Sequence, residues 1–224
     1  TLNRGRMATR GASQTVALEV SVPLSDLEFY KLTYAGEIYF PVPVLENWTF
    51  RLRTELGYGG GYGDTNGLPF YENFFAGGFG SVRGYESNTL GPRSTPADIY
   101  AAQLPVTAID ADGNPTEFGT QFAYYRNDGQ LVFFQADDDV DPFGGDILIE
   151  GSAELLFPLP FIKDQSQIRT GFFLDVGNVF DTDCSSTQAA CYDLDFGEMR
   201  YSVGVGLTWV TGFGPMSFSR SKKP

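Results

Sequence analysis

The sequence predicts an all-β fold: about seven antiparallel strands of a transmembrane β-barrel, interrupted by one long loop. Three observations carry this reading. Apolar and polar residues alternate with period two over segments of about ten residues, the span of a tilted membrane strand, where soluble sandwich strands average about five to six. Charge sorts to one face. Glu19, Lys31, Glu37, Arg51, Arg53, Glu55, Glu150, Glu154, Arg169, Asp175 and Arg200 share the less apolar parity of their strands, and the other parity carries no charge. A soluble sandwich would bury the apolar faces together and put these charges in water; each single strand fits that alternative, but the sustained length favours lipid. Finally, 27 glycines and 15% aromatic residues suit a chain of many turns with aromatic girdles at the membrane interfaces.

In chain order, residues 1–12 read as a turn-like approach to a strand. From Ser13, Val16, Leu18, Val20 and Val22 face outward against Thr15, Ala17, Glu19 and Ser21. The second strand turns Tyr30, Leu32, Tyr34, Gly36, Ile38 and Phe40 outward. The third does the same with Trp48, Phe50, Leu52, Leu56 and Tyr58. Residues from about 60 to 146 form one insertion, with a polar middle and an acidic end at Asp137, Asp138 and Asp139. Alternation resumes with Ile147, Ile149, Gly151, Ala153, Leu155 and Phe157 outward, then Ile168, Thr170, Phe172, Leu174 and Val176. Past a polar loop come Met199, Tyr201, Val203, Val205, Leu207 and Trp209, and a last short strand with Met216 and Phe218 outward and Ser217 and Ser219 inward.

Composition removes several function classes. A formal net charge of −13 argues against nucleic acid, whose phosphates need clustered Lys and Arg. There is no histidine, so neither a Ser-His-Asp nor a Cys-His arrangement can be built, and the commonest metal ligand is missing. We expect no enzyme, no metal and no cofactor. Gly78-Phe79-Gly80 opens like a nucleotide loop but has Arg83 at the third glycine position and no βαβ context. Calcium-loop spacings at Asp137, Asp139 and Asp141 end in Pro142 where a sharp-turn glycine belongs. Glu154 and Asp175 fit a glycosidase pair on paper, but inward positions beside arginines favour ion pairing. Cys184 and Cys191 match no zinc spacing; we read them as a loop disulfide in an oxidising compartment over two free thiols.

The insertion holds the stretch around which the chain is organised, PFYENFFAGGFGSVRGYESNTLGPR over residues 69–93. Flexible linkers are rich in Gly and Ser and poor in large apolar residues; here Phe70, Tyr71, Phe74, Phe75, Phe79 and Tyr85 surround the glycines, which predicts a folded, docked loop rather than a mobile one. The run Pro69–Gly78, then Val82-Arg83-Gly84-Tyr85, then Asn88–Pro92, closely resembles the signature loop of the BamA family of outer-membrane β-barrel assembly factors, the bacterial surface antigen family. The Val-Arg-Gly-aromatic core is shared by a wider superfamily that includes two-partner secretion transporters and TamA-like proteins.

That resemblance implies the C-terminal part of a barrel domain over residues 1–224, with upstream strands, N-terminal POTRA domains and a final strand lying outside this sequence. It implies a loop that folds inward and sets Arg83 against Glu154 and Asp175. It also implies an outer-membrane protein that inserts and folds client barrels without ATP, through a lateral gate between first and last strands. Its partners would be the lipid bilayer, nascent client barrels and accessory lipoproteins bound through the periplasmic domains. The alternatives are a secretion barrel of the same superfamily and, outside it, a diffusion porin or an outer-membrane hydrolase.

Overall fold

A computed structural model describes residues 1–4, 7–22, 25–43, 45–92, 142–160, 162, 167–182 and 194–223, and the backbone alone over 101–109, 115–125 and 131–133. Its strands are β1 (Gly11–Val20), β2 (Phe29–Pro41), β3 (Thr49–Gly61), β4 (Ala101–Ile109), β5 (Pro115–Tyr125), β6 (Leu131–Phe133), β7 (Ile147–Phe157), β8 (Ile168–Phe180), β9 (Arg200–Thr211) and β10 (Gly214–Lys222). Seven of them form one antiparallel sheet in the order β1-β2-β3-β7-β8-β9-β10, so each neighbour in the sheet is the next barrel strand in the chain. No helix among the described residues is long and apolar enough to cross a membrane.

The two faces follow the period-two pattern. Along β7 the even residues Leu148, Glu150, Ser152, Glu154 and Leu156 are buried, and the odd ones are half-exposed. Leu32, Leu52, Leu174 and Val205 lie on the opposite face and stay 40–48% exposed, as lipid-facing side chains do in a chain without its bilayer. At one end of that outer face Phe40 meets Phe50 with ring centroids 5.1 Å apart, and Trp48, Phe157 and Phe172 continue a stack at 5.4 and 5.0 Å. At the other end Tyr30 and Tyr58 pair at 5.9 Å. Two aromatic belts thus bound an apolar band.

Three features differ from the sequence reading. The polar middle of the insertion contains a second, three-stranded sheet in the order β4-β5-β6. Pro105 sits in β4 beside a register shift between Pro105 and Thr107; a proline in a run argues against a strand until a bulge accommodates it. The last strand runs to Lys222, beyond Ser219, and its pairing of Arg220 with Val205 sets Arg220 on the outward parity. Charge sorting therefore fails at this edge strand, which has a single neighbour and where charge is a common guard against unwanted pairing. The third concerns the loop's aromatics: Phe74 is buried, whereas Phe70, Tyr71 and Phe79 are at least half exposed.

Small apolar groups bury where those rings do not. Phe74, Ala76, Val82 and Leu90 of the loop pack with Leu148 of β7 and Val179 of β8, and Leu68 and Tyr85 flank them. The wall is made thin to admit them. A Cβ on Gly57 would meet the Phe74 ring at 2.5 Å, and one on Gly177 would meet Val82 Cγ2 and the Ile149 carbonyl oxygen, each at 2.9 Å. The loop rests on the inner face at mid-strand depth.

Candidate functional site

Two transverse rows of inner-face residues form the floor beneath the loop tip. Register pairs Arg53 with Ser152, Ser152 with Asp175 and Asp175 with Ser202, so one row crosses β3, β7, β8 and β9. The next row pairs Arg51 with Glu154, Glu154 with Phe173 and Phe173 with Gly204. Strand pleating turns both rows the same way, which is why the neighbours β7 and β8 can offer two acids, a hydroxyl and a ring to one point.

Arg83 is that point. Its Nε donates to Asp175 Oδ2 at 2.6 Å and its Nη2 to Asp175 Oδ1 at 2.7 Å, a bidentate fork. The same Nη2 lies 2.7 Å from Glu154 Oε1 and donates to Ser152 Oγ at 3.1 Å. The Arg83 backbone N–H also donates to Asp175 Oδ2, at 3.1 Å, so the carboxylate holds main chain and side chain together. Ser152 Oγ completes the set by donating to Asp175 Oδ1 at 2.6 Å. Beneath the guanidinium lies the Phe173 ring, with Cζ 3.6 Å from its centroid, a close cation–π stack. Asp175 is wholly buried. Burial alone would lower the Arg83 pKa; hydrogen bonds to Asp175 and the Glu154 charge outweigh that and raise it above its ordinary value. The guanidinium is a fixed charge.

A second layer steadies Glu154. Arg51 Nη1 donates to Glu154 Oε2 at 3.0 Å and its Nη2 to Glu37 Oε2 at 3.2 Å, while Tyr39 OH also donates to Glu37 Oε2, at 3.1 Å. The chain of charge Arg83–Glu154–Arg51–Glu37 therefore ties the loop across β7 and β3 to β2. Further contacts strap the rest of the loop. Arg53 donates to the Gly80 and Ser81 carbonyls, and Ser81 Oγ donates to Glu150 Oε1 and accepts from the Gly77 N–H at 2.8 Å. Lys31 Nζ donates to the Glu72 carbonyl at 2.6 Å and lies 4.7 Å from the Phe74 ring centroid.

The other residues singled out in the sequence take distinct positions. Val82 is buried against Gly177. Gly84 has φ +94°, and a Cβ there would lie 2.4 Å from Ser221 Oγ, so backbone sign and space both require glycine. Tyr85 OH donates to the Tyr201 carbonyl at 3.4 Å, bringing the tip onto β9. Cys184 and Cys191, like Asp137–Asp139, lie outside the described residues. Ser152, Arg51 and Phe173 were placed on the inner face by parity but not recognised as members of this site. Parity had set Phe173 on the glycine-rich inner face between Gly171 and Asp175, and a ring there, beside a buried acid, is the signal that a cation covers it.

Among the described residues no cluster of acidic or sulfur ligands has the form of a metal site. What the arrangement can do chemically is hold: it immobilises a long loop against a barrel wall by charge, stacking and apolar packing together.

The family model for the Omp85 superfamily domain matches residues 1–223. The chain is 34% identical to the outer membrane protein assembly factor BamA of Neisseria meningitidis serogroup B (strain ATCC BAA-335 / MC58), across 96% of this chain and 24% of that protein. Its fold is similar to the crystal structure of BamA from Haemophilus ducreyi lacking POTRA domains 1–3, with a TM-score of 0.72 and 28% identity, over 100% of this chain and 37% of that one. The chain thus spans about a quarter of the length of the curated relative it matches. A lipid-facing strand wall, a loop folded onto its inner face and a match over nearly every residue have one reading: this chain belongs to the Omp85 superfamily of bacterial outer-membrane β-barrel proteins.

Proposed function

We propose that this chain is the C-terminal part of the barrel of an outer-membrane protein assembly factor, which folds and inserts client β-barrels without ATP. The observation that carries the reading is the Arg83 loop. A superfamily signature occupies the inner face, and 34% identity links the chain to a protein whose name states outer membrane protein assembly. In this reading Arg83, Glu154 and Asp175 are structural. They hold the loop so that β3, β7 and β8 move as one plate, and client strands pair elsewhere, at a gate between the barrel's first and last strands. Upstream strands and periplasmic POTRA domains complete the protein, and accessory lipoproteins dock on the latter.

The test is reconstitution of the full-length protein in lipid vesicles, with a urea-denatured client barrel and no nucleotide. Client folding above that of empty vesicles, read as protease protection, is the expected result; no acceleration sinks the proposal. A translocation barrel of the same superfamily is the second reading, because the family match is made at superfamily level. Such a barrel would release an unfolded polypeptide into the vesicle interior instead of a membrane-inserted one. A diffusion porin is disfavoured by a loop fixed across the inner face, since a solute path needs that space open.

A further inference from the structure

The row of inner-face residues beneath Arg83 runs on to a second element folded against the wall. Register continues it from Glu154 and Arg51 to Tyr39 on β2 and Gly11 on β1, where the chain enters the sheet. The segment before Gly11 stays on the wall. Asn3 closes it into a turn: its backbone N–H donates to the Arg10 carbonyl at 3.0 Å, and its Oδ1 accepts from the Thr9 and Arg10 N–H groups at 3.1 and 3.2 Å. Asn3 Nδ2 also donates to Thr9 Oγ1, at 3.0 Å. Met7 takes φ 55° within the turn, and Gly11 takes φ 112° at its exit. Ala8 is 4% exposed and packs on Tyr39 and Leu156, with Leu2 alongside.

Two wall residues hold this turn. Arg169 on β8 donates from Nη2 to the Ala8 carbonyl at 2.7 Å, and among the described residues it makes no ion pair. A guanidinium directed at a main-chain carbonyl fixes where that stretch of backbone sits. Tyr39 is buried, and the Arg169 and Arg51 guanidiniums lie 5.6 and 5.5 Å from its ring centroid. Its ring therefore supports Ala8 and both cations, while its hydroxyl donates to Glu37, which with Glu154 holds Arg51. Glu154 is the carboxylate that meets Arg83. Turn and loop thus share side chains without touching. They face one cavity of about 440 Å³, lined by Met7 of the turn, Phe79 and Arg83 of the loop, and Arg51, Glu154 and Arg169 of the wall.

We propose that Tyr39 and Arg169 are positioning residues that seat the turn before β1 on the inner face and couple it, through Arg51 and Glu154, to the Arg83 loop. Displacing the turn removes the packing of Ala8 on Tyr39 and the acceptor of Arg169. The ring and the two guanidiniums beside it then gain freedom, and Arg51 passes that freedom to Glu154, 2.7 Å from Arg83 Nη2. Removing Arg83 acts along the same contacts in reverse, because coupling between two sites is reciprocal. Adjacency alone does not make coupling; a response in both directions does. The turn lies at the end of the sheet that carries the short connections 42–48 and 158–167, the periplasmic end of an outer-membrane barrel, so an event on that side has a route to the loop. The coupling belongs to the folded barrel and is the same whether that barrel inserts or translocates its clients.

The experiment uses the full-length protein folded in vesicles of phosphatidylethanolamine and phosphatidylglycerol. Hydrogen exchange is read by peptide mass spectrometry at residues 7–10 and at residues 78–85. Ala8→Trp is too large for its buried site and evicts the turn without altering a wall side chain; Arg169→Met keeps the stem and removes the donor. Both should speed exchange at 78–85 several-fold, and Arg169→Lys, which keeps a charged donor, should restore part of the protection. In the other direction, Arg83→Ala should speed exchange at 7–10. Val205→Ala, a lipid-facing change, should leave both places at the parent rate. If Ala8→Trp gives no folded, heat-modifiable band, Ala8→Leu is the smaller wedge that repeats the test. Faster exchange at 7–10 with 78–85 unchanged in the folded Ala8 variant and in Arg169→Met would show a turn that is docked but uncoupled, and would overturn the proposal. Parent-rate exchange at 7–10 in Arg83→Ala would overturn it too, as would a rise of equal size at 78–85 in Val205→Ala.

Discussion

Replacing Arg83 by alanine isolates the loop's anchor, and its magnitude can be worked from the contacts. The variant removes both ends of the fork to Asp175, the Glu154 contact, the Ser152 hydrogen bond and the stack on Phe173. Glu154 keeps Arg51 at 3.0 Å, so it is not orphaned. Asp175 is left wholly buried, with Ser152 Oγ and the backbone N–H of residue 83 as its remaining donors. Breaking a buried pair from one side costs about 3–5 kcal/mol; the two surviving donors place this case at the lower end, about 3 kcal/mol. Arg83→Lys keeps the charge but offers a point in place of a fork and loses the planar stack, so it should recover about half of that. The assay is urea unfolding of the folded protein in vesicles, paired with limited proteolysis at residues 78–85. Arg83→Ala should lower the midpoint and expose the loop, and Asp175→Asn combined with it should add far less than the sum of the single losses. If Arg83→Ala shifts stability by less than about 0.5 kcal/mol and the loop stays protected, the docked-anchor argument is wrong.

Three further outcomes are expected. Leu174→Arg and Val205→Arg, both on the lipid-facing parity, should each cost about 2–4 kcal/mol of barrel stability at mid-membrane, measured by the same unfolding; no change in either would mean the faces are inverted. Gly177→Val should loosen the loop, because its side chain takes the space of Val82 and presses on the Ile149 carbonyl of β7; equal protease protection in variant and parent would refute this. For Cys184 and Cys191 a disulfide is proposed that contributes about 2 kcal/mol through loop closure; alkylation of both thiols in unreduced protein would exclude it.

What the sequence made legible follows from its periods. A repeat of two fixes which face each residue takes, so Glu154 and Asp175 could be assigned inward without knowing any partner. Partners depend on register and on where a loop returns, which local pattern does not encode. Parity could set Ser152 and Arg51 inward, but not show that Ser152 stands between Arg53 and Asp175 in one row or that Arg51 lies opposite Glu154. The loop's interior misled for a related reason. Its large rings look like a core by composition, but of those at the loop only Phe74 is buried, where Gly57 makes room for its ring, while Ala76 and Val82 fill the rest and Phe79 projects. The β4–β5 hairpin of the insertion was hidden by Pro105, which breaks the alternation that a reader of strands relies on.

The division of labour between packing and charge explains why an arginine serves here. A barrel's inner face is polar and has no core of its own to bury a loop against. The apolar cluster of Val82, Ala76 and Leu90 on Leu148 and Val179 supplies attraction, about 1.5–3 kcal/mol for a side chain such as Val82, but apolar contact is non-directional and would tolerate a slip along the wall. The fork on Asp175 does not tolerate it, because sliding the loop by one residue would carry Arg83 off both carboxylate oxygens. Glu154 and Arg51 extend the constraint across β7 and β3 to Glu37 on β2. Packing thus holds the loop down while the charges fix where it sits, directly on β7 and β8 and through Glu154 and Arg51 on β3 and β2.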